Sequence, residues 1–146
     1  MARIERFEDI EAWNEARKLT EEVYRTTKAG GFNRDFGLRD QLRRASVSSM
    51  ANIAEGFDGG SSREFQRFLL YALRSASEVQ SHLYVALDQG YLGNDAFKKL
   101  YVRSLHVKSL IGGFLRYLRS ATRTKSKDRM DFRSPEPKSE YTNGSR

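Results

Sequence analysis

Apolar residues recur every three or four positions along most of the chain, which is the spacing of one face of an α-helix. No stretch shows the alternation of apolar and polar residues that marks a β-strand, and both prolines lie near the C-terminus. Because the segments between the periodic stretches are short, neighbouring helices should run antiparallel. The predicted fold is all-α, an antiparallel up-down four-helix bundle. The four predicted helices span roughly residues 8–28, 36–57, 61–89 and 94–118.

Glycines and capping residues mark the predicted helix ends. Gly30 and Gly31 follow the first helix and Gly90 follows the third, positions at which glycine tolerates the left-handed backbone that is common after a helix. Ser61 and Glu64 have the spacing of a capping box, in which the hydroxyl accepts a hydrogen bond from a backbone N–H and the carboxylate reaches back. These signals support the boundaries drawn from periodicity.

The second predicted helix has an unusually wide apolar side. On a helical wheel its apolar and small residues cover roughly half of the circumference. They are Leu38, Leu42, Ala45, Ser46, Val47, Ser49, Met50, Ile53, Ala54 and Phe57. A helix that buries this much surface should touch more than one neighbour, and we expect further burial between chains.

The opposite side of the second predicted helix is polar at helical spacing. Its residues are Gln41, Arg44, Ser48, Asn52 and Glu55. One interpretation is a small-molecule or RNA site. The interpretation that we favour is a hydrogen-bonded seam between subunits or helices, in which polar groups set the register, because the small residues nearby let two backbones approach closely.

The same region carries a resemblance to a known family. Several short motifs occur in order between Gln41 and Leu69. They are QLRRA, a run of small residues, NIAEG, S-x-x-E-F and FL. This pattern resembles the bacterial four-helix-bundle proteins encoded in intervening sequences of 23S ribosomal RNA genes, a family that looks related in fold to the accessory protein of diversity-generating retroelements. The resemblance extends from Phe7 to about Leu118. It implies a ring-shaped homo-oligomer, with five subunits as the expected number, and favours RNA over DNA as a ligand.

The net charge of +7 is concentrated towards the C-terminus. Residues 1–30 carry six Lys and Arg against seven Asp and Glu, and residues 31–92 carry seven of each. Residues 93–119 carry six bases and one acid, and residues 120–146 carry seven bases and four acids. This bias favours a polyanionic partner, chiefly nucleic acid or an acidic protein, and general solubility is the alternative explanation.

The chain divides into a bundle over residues 1–119 and a tail over residues 120–146. The tail is polar, charged and without periodicity, so we predict that it is disordered. Its bases Arg123, Lys125, Lys127 and Arg129 would neutralise phosphates if the tail served as a flexible arm. The alternative is a disordered end without a function of its own.

A strip of residues spaced by three or four positions runs along one side of the fourth predicted helix. It consists of Lys98, Tyr101, Leu105, Lys108, Gly112, Arg116 and Arg119. Cations beside a tyrosine suit contact with phosphates and some stacking of bases. The alternative is a solvated flank packed loosely against a neighbouring subunit.

Other classes of function lack the residues that they need. Without cysteine the chain has no disulfide, thiol nucleophile or thiolate metal site. The two histidines, His82 and His106, lack the Glu-x-x-His spacing of metal sites in helical bundles. No histidine, carboxylate and nucleophile are grouped as in hydrolases. We therefore expect no catalytic residues, no metal and no cofactor. The N-terminal residues resemble neither a signal peptide nor a membrane span, which predicts a cytoplasmic protein without membrane contact.

The leading functional hypothesis is a non-enzymatic, homo-oligomeric module that binds nucleic acid, RNA rather than DNA, through the basic strip and the tail. The alternative is an oligomeric scaffold that holds a protein partner, such as a protein resembling a reverse transcriptase. Pull-down of a single acidic protein that resists nuclease treatment would favour the scaffold.

Overall fold

Helices account for almost all of the chain that the structure describes. A computed structural model describes residues 3–132, with side chains described as far as residue 122. A 3₁₀ turn at Phe7–Asp9 precedes five α-helices, which are α1 (Glu11–Thr27), α2 (Gly30–Arg34), α3 (Phe36–Asp58), α4 (Ser62–Asp88) and α5 (Asn94–Phe132). The four long helices correspond to the four predicted ones, and residues 3–132 contain no β-strand.

The four long helices form a bundle in which each one packs against two others. α1 contacts α3 and α5, and α4 contacts the same two helices. The α1–α3 pair and the α4–α5 pair therefore lie on opposite faces. Every long helix contributes fully buried apolar side chains to one core, among them Leu19, Leu42, Ile53, Leu69, Leu83, Leu100 and Ile111. The predicted all-α bundle is confirmed.

The wide apolar side of α3 is covered within one chain. Nine of its ten residues are buried or half-buried, and only Val47 is exposed, at 39%. α3 achieves this because it contacts α1, α4 and the short α2. The prediction that the helix touches several neighbours is thus confirmed. The width of its apolar side gives no reason by itself to expect a second chain.

Positive backbone φ angles occur at three of the connections. Gly30, Gly60 and Gly90 have φ values of 53°, 89° and 76°, so each occupies the region that favours glycine. The Ser61 hydroxyl accepts a hydrogen bond from the Glu64 N–H at 3.1 Å, as the capping motif predicted. The Glu64 carboxylate instead accepts from Arg67, at 2.6 Å.

The short helix α2 was not predicted, because it is only five residues long and begins with two glycines. Phe32 in this helix is buried, and its ring stacks on Tyr91 with the centroids 5.3 Å apart. The Tyr91 hydroxyl donates to Asp35 at 3.0 Å, and this hydrogen bond raises the pKa of Tyr91. Contacts with a residue that is distant in sequence thus hold a segment whose own helix propensity is low.

α5 continues past the predicted boundary of the tail. The boundary was placed at residue 120, but the helix runs to Phe132. The added segment contains neither glycine nor proline, so no residue in it interrupts the helical hydrogen bonds. The remainder of the predicted tail, residues 133–146, lies outside the described residues.

α3 and α4 approach each other most tightly at Gly56, the glycine of the NIAEG motif. A Cβ atom placed on Gly56 would lie 2.6 Å from the Cβ of Phe68 and 3.0 Å from Cδ1 of Phe65. Such distances are shorter than packed carbon atoms allow. Glycine at this position therefore sets the separation of the two helices.

Candidate nucleic-acid interface

The cations of α5 differ in whether an acidic partner compensates them. On the side that faces α1, Arg103 Nε donates to Glu22 Oε1 at 2.8 Å, and Lys99 Nζ lies 3.4 Å from the other oxygen of Glu22. A guanidinium nitrogen of Arg103 also lies 3.8 Å from Glu15. Glu22 is buried. These two cations are therefore compensated by α1 and add little to the field outside the protein.

Four other cations on α5 have no acidic partner among the described residues, and we refer to them as the cationic face. Lys98, Arg116 and Arg119 are exposed. The fourth, Lys108, is half-buried, and its Nζ donates to Gln80 Oε1 of α4 at 3.1 Å. Since a glutamine amide carries no net charge, this contact positions the ammonium group without neutralising it.

Arg116 lies over a glycine pair in the middle of α5. Its Nη1 is 3.5 Å from the position that a Cβ on Gly112 would occupy, and its Nη2 is 3.8 Å from the same position on Gly113. No other described side chain comes as close to either position. The pair therefore leaves a smooth stretch of helix surface beneath the guanidinium group.

Alanine at Gly112 is expected to raise the free energy of unfolding, by up to about 1 kcal/mol, because it favours the helix and meets only a flexible side chain. Urea unfolding followed by circular dichroism measures the change. A clear loss of stability would contradict this prediction and would indicate that another surface, such as a second chain, packs on the glycine.

Three aromatic side chains gather where α4 meets the cationic face. The Tyr84 ring centroid lies 5.0 Å from that of Phe97 and 5.7 Å from that of Tyr101. Hydrogen bonding to Tyr84 raises the pKa of the Tyr101 hydroxyl. The spacing of residues along α5 marks Tyr101, which is half-buried, whereas Tyr84 on α4 is 49% exposed. No local signal marks Tyr84, because its neighbours come from another helix.

Comparisons with known proteins identify the family of the chain. A family model described as "23S rRNA-intervening sequence protein" matches residues 8–113. The chain belongs to this family. Among solved structures, a protein of unknown function from the S23 ribosomal protein family of Bacteroides thetaiotaomicron has 18% sequence identity and a TM-score of 0.67, covering 72% of this chain and 95% of the other. That likeness concerns the fold alone. No curated protein matches the chain.

The match to the 23S rRNA-intervening sequence family covers only part of the candidate site. The matched region includes Lys98 and Lys108, but ends before Arg116 and Arg119. The tail candidates Arg123, Lys125 and Lys127 lie within α5, beyond the last described side chain. The C-terminal half of the cationic face is therefore a property of this chain that the family match does not cover.

The structure separates the five residues of the predicted polar seam into two groups. The Ser48 hydroxyl lies 2.9 Å from that of Ser75 on α4, and the Asn52 amide donates to the Ser48 carbonyl and hydroxyl. Ser48 thus links α3 to α4 inside the chain, and Asn52 supports Ser48 from within α3. The other three, Gln41, Arg44 and Glu55, are exposed.

The described residues offer no metal centre or membrane span. No group of three or more histidine or acidic side chains lies close enough to hold a metal ion within the described part of the chain. His82, which is half-buried, lies 3.3 Å from Glu78, one turn earlier on the same helix. None of the helices between residues 3 and 132 is long and apolar enough to cross a membrane.

Proposed function

We propose that this protein is a non-enzymatic, homo-oligomeric module that binds nucleic acid, with RNA as the preferred ligand. The cationic face would contact phosphates, and Arg123, Lys125 and Lys127 would extend the contact along α5. One observation carries the proposal: four cations on α5 lack an acidic partner among the described residues, whereas Lys99 and Arg103 on the same helix are compensated.

The mechanism follows from the properties of a polyanion. A nucleic acid carries condensed counterions, and each phosphate that a lysine or arginine neutralises releases some of them. Contacts of this kind carry little sequence information, since they address the backbone and not the bases. The protein would therefore bind with weak sequence preference and strong dependence on salt.

The preference for RNA and the homo-oligomeric state rest on the resemblance noted in the sequence. If copies assembled with α5 pointing into a shared space, their cationic faces would produce a field stronger than that of any single chain. A ring of five subunits would fit that arrangement, and the mass in solution, measured with and without nuclease treatment, would report both subunit number and bound nucleic acid.

Replacing Lys98, Arg116 and Arg119 by glutamine is expected to weaken the binding of a labelled single-stranded RNA about tenfold at low salt. Because the variant could no longer neutralise three of the phosphates, the slope of log affinity against log salt should become shallower by about 2. Fluorescence anisotropy over a series of KCl concentrations measures both quantities.

A matched control removes the same charge from another place. Lys18, Arg25 and Lys28 are exposed cations on or beside α1, and replacing them by glutamine lowers the net charge equally. This control should bind RNA nearly as tightly as the unaltered protein. Equal losses in the two triple variants would show that total charge, and not the cationic face, governs binding.

A protein partner is the second candidate function, and exposed apolar side chains on α5 favour it. Val102 and Leu105 are 53% and 46% exposed, and they lie between the cations of the same helix. An acidic protein with an apolar patch would complement this surface of cations and apolar side chains. The protein would then be a scaffold that holds such a partner, for example one resembling a reverse transcriptase. Co-purification of one acidic protein that survives nuclease treatment would favour this function over nucleic-acid binding.

A further inference from the structure

We infer that the ligand of the cationic face is single-stranded and that one unpaired base stacks on the ring of Tyr84. This inference rests on the proposed function and specifies its ligand. It follows from the position of an exposed aromatic ring beside a cation that the fold holds in place.

Tyr84 is presented as a flat, supported surface. About half of the residue is exposed, at 49%. Phe97 and Tyr101 of α5 contact its ring, with centroid distances of 5.0 and 5.7 Å and interplanar angles of 56° and 73°. A ring held by two others loses little conformational freedom when a base covers it, which favours stacking.

Lys108 supplies a cation for a phosphate near the stacked base. Its Nζ is bonded to Oε1 of Gln80, a buried residue of α4. Gln80 precedes Tyr84 by four positions, so the two lie on the same face of α4 with Cβ atoms roughly 5–6 Å apart. The ammonium group thus sits about one helical turn from the aromatic ring, and it has protons left to donate to a phosphate oxygen.

The other cations continue this track along α5. Lys98 directly follows Phe97, and the span from Lys98 to Lys108 covers about 15 Å along the helix axis. Arg116 lies two turns beyond Lys108. On α4, the acidic Asp88 lies one turn past Tyr84 at the end of the helix. A strand should therefore run from Tyr84 towards Lys108 and Arg116, away from that carboxylate.

A base pair in a duplex cannot use this surface. The faces of paired bases are covered by their neighbours in the stack, and a protein ring reaches them only after the strand is opened. Single strands expose these faces, and stacking on an aromatic side chain tolerates any base. An exposed tyrosine beside an uncompensated lysine thus discriminates between single strands and duplexes without reading the sequence.

The test uses a short RNA that carries one 2-aminopurine, either single-stranded or annealed to its complement. The unaltered protein should bind the single strand at least tenfold more tightly than the duplex, and binding should quench the fluorescence of the single strand. Tyr84→Leu should weaken single-strand binding about tenfold, remove the quenching and leave the salt slope unchanged. Tyr84→Phe, which keeps the ring, should retain both.

Tyr24→Leu is the matched control. Tyr24 is 37% exposed and lies on the opposite α1–α3 face of the bundle. Cζ of the Arg43 guanidinium lies 4.6 Å from the centroid of the Tyr24 ring. It thus offers an aromatic ring and a cation without belonging to the cationic face. Its removal should leave affinity and quenching unchanged.

The outcomes distinguish this inference from the proposed function. Equal affinity for single strand and duplex, or full affinity and quenching in Tyr84→Leu, would overturn the inference while leaving phosphate binding in place. If the leucine variant does not fold, the fluorescence of the RNA bound to the unaltered protein provides the test. Single-strand binding without quenching would then overturn the inference. Failure to bind any RNA, or capture of an acidic protein alone, would overturn both.

Discussion

Replacing Gly56 by alanine should lower the free energy of unfolding by about 2 kcal/mol. Overpacking a tight core contact costs about 3 kcal/mol, and the better helix propensity of alanine offsets about 1 kcal/mol of it. The new methyl group would meet the Cβ of Phe68 at 2.6 Å and Cδ1 of Phe65 at 3.0 Å. The Cβ of Phe68 cannot move away without moving the backbone of α4. α3 and α4 would have to separate, and the aromatic contacts between Phe57, Phe65 and Phe114 would loosen with them.

The sign of this effect is informative. Helix propensity alone favours alanine over glycine by about 1 kcal/mol, so any loss of stability at Gly56 measures interhelical packing. Gly112→Ala, which meets only the end of Arg116, is the natural control for urea unfolding under the same conditions. If the two alanine variants were equally stable, the close approach of α3 and α4 at Gly56 would be refuted.

Replacing Arg103 by methionine should lower the free energy of unfolding by about 2 kcal/mol. The side chain of Glu22 is only 10% exposed, and its carboxylate would lose its shortest hydrogen bond, the one at 2.8 Å from Nε of Arg103. Breaking a fully buried ion pair costs about 3–5 kcal/mol. The smaller value is expected here because the Arg103 side chain is 31% exposed and Lys99 remains near the same carboxylate.

The double variant Glu22→Leu with Arg103→Met should recover at least half of the loss, since it leaves no buried charge without a partner. An exposed pair on α1 serves as control. Arg25 contacts Glu21 at 3.2 Å with both side chains largely in solvent, so Arg25→Met should change stability by no more than about 0.5 kcal/mol. Similar losses of stability in Arg103→Met and Arg25→Met would contradict the prediction that the buried carboxylate of Glu22 depends on Arg103.

These predictions bear on the functional proposal as well as on stability. The Glu22–Arg103 contact compensates the α1 side of α5, and it therefore confines the unpaired positive charge to the cationic face. We expect Arg103→Met to alter RNA binding less than the loss of Arg116 does. Stability and binding would then report on two different sides of one helix.

The sequence by itself determined the four long helices and most of their ends. The apolar stripe of α4, from Phe65 to Leu87, repeats at helical spacing over its whole length, and Ser61 and Gly90 mark its ends. Periodicity, capping and glycine preference are local properties, so they predict a helix without any knowledge of the elements that pack against it. The segregation of positive charge towards the C-terminus was likewise evident from composition.

Only the tertiary structure decided which of those charges are available. Lys98 and Lys99 are adjacent in sequence, yet Lys99 meets Glu22 while Lys98 meets no described acid. The two side chains differ by a rotation of about 100° around the helix axis, and only Lys99 points towards the acid in α1. That acid, Glu22, also bonds to Arg103, which is 81 residues away in the sequence. The short α2, the contact at Gly56 and the support of Tyr84 by α5 arise in the same way. Each depends on groups that only packing brings together, and such contacts produce no periodic pattern in the sequence.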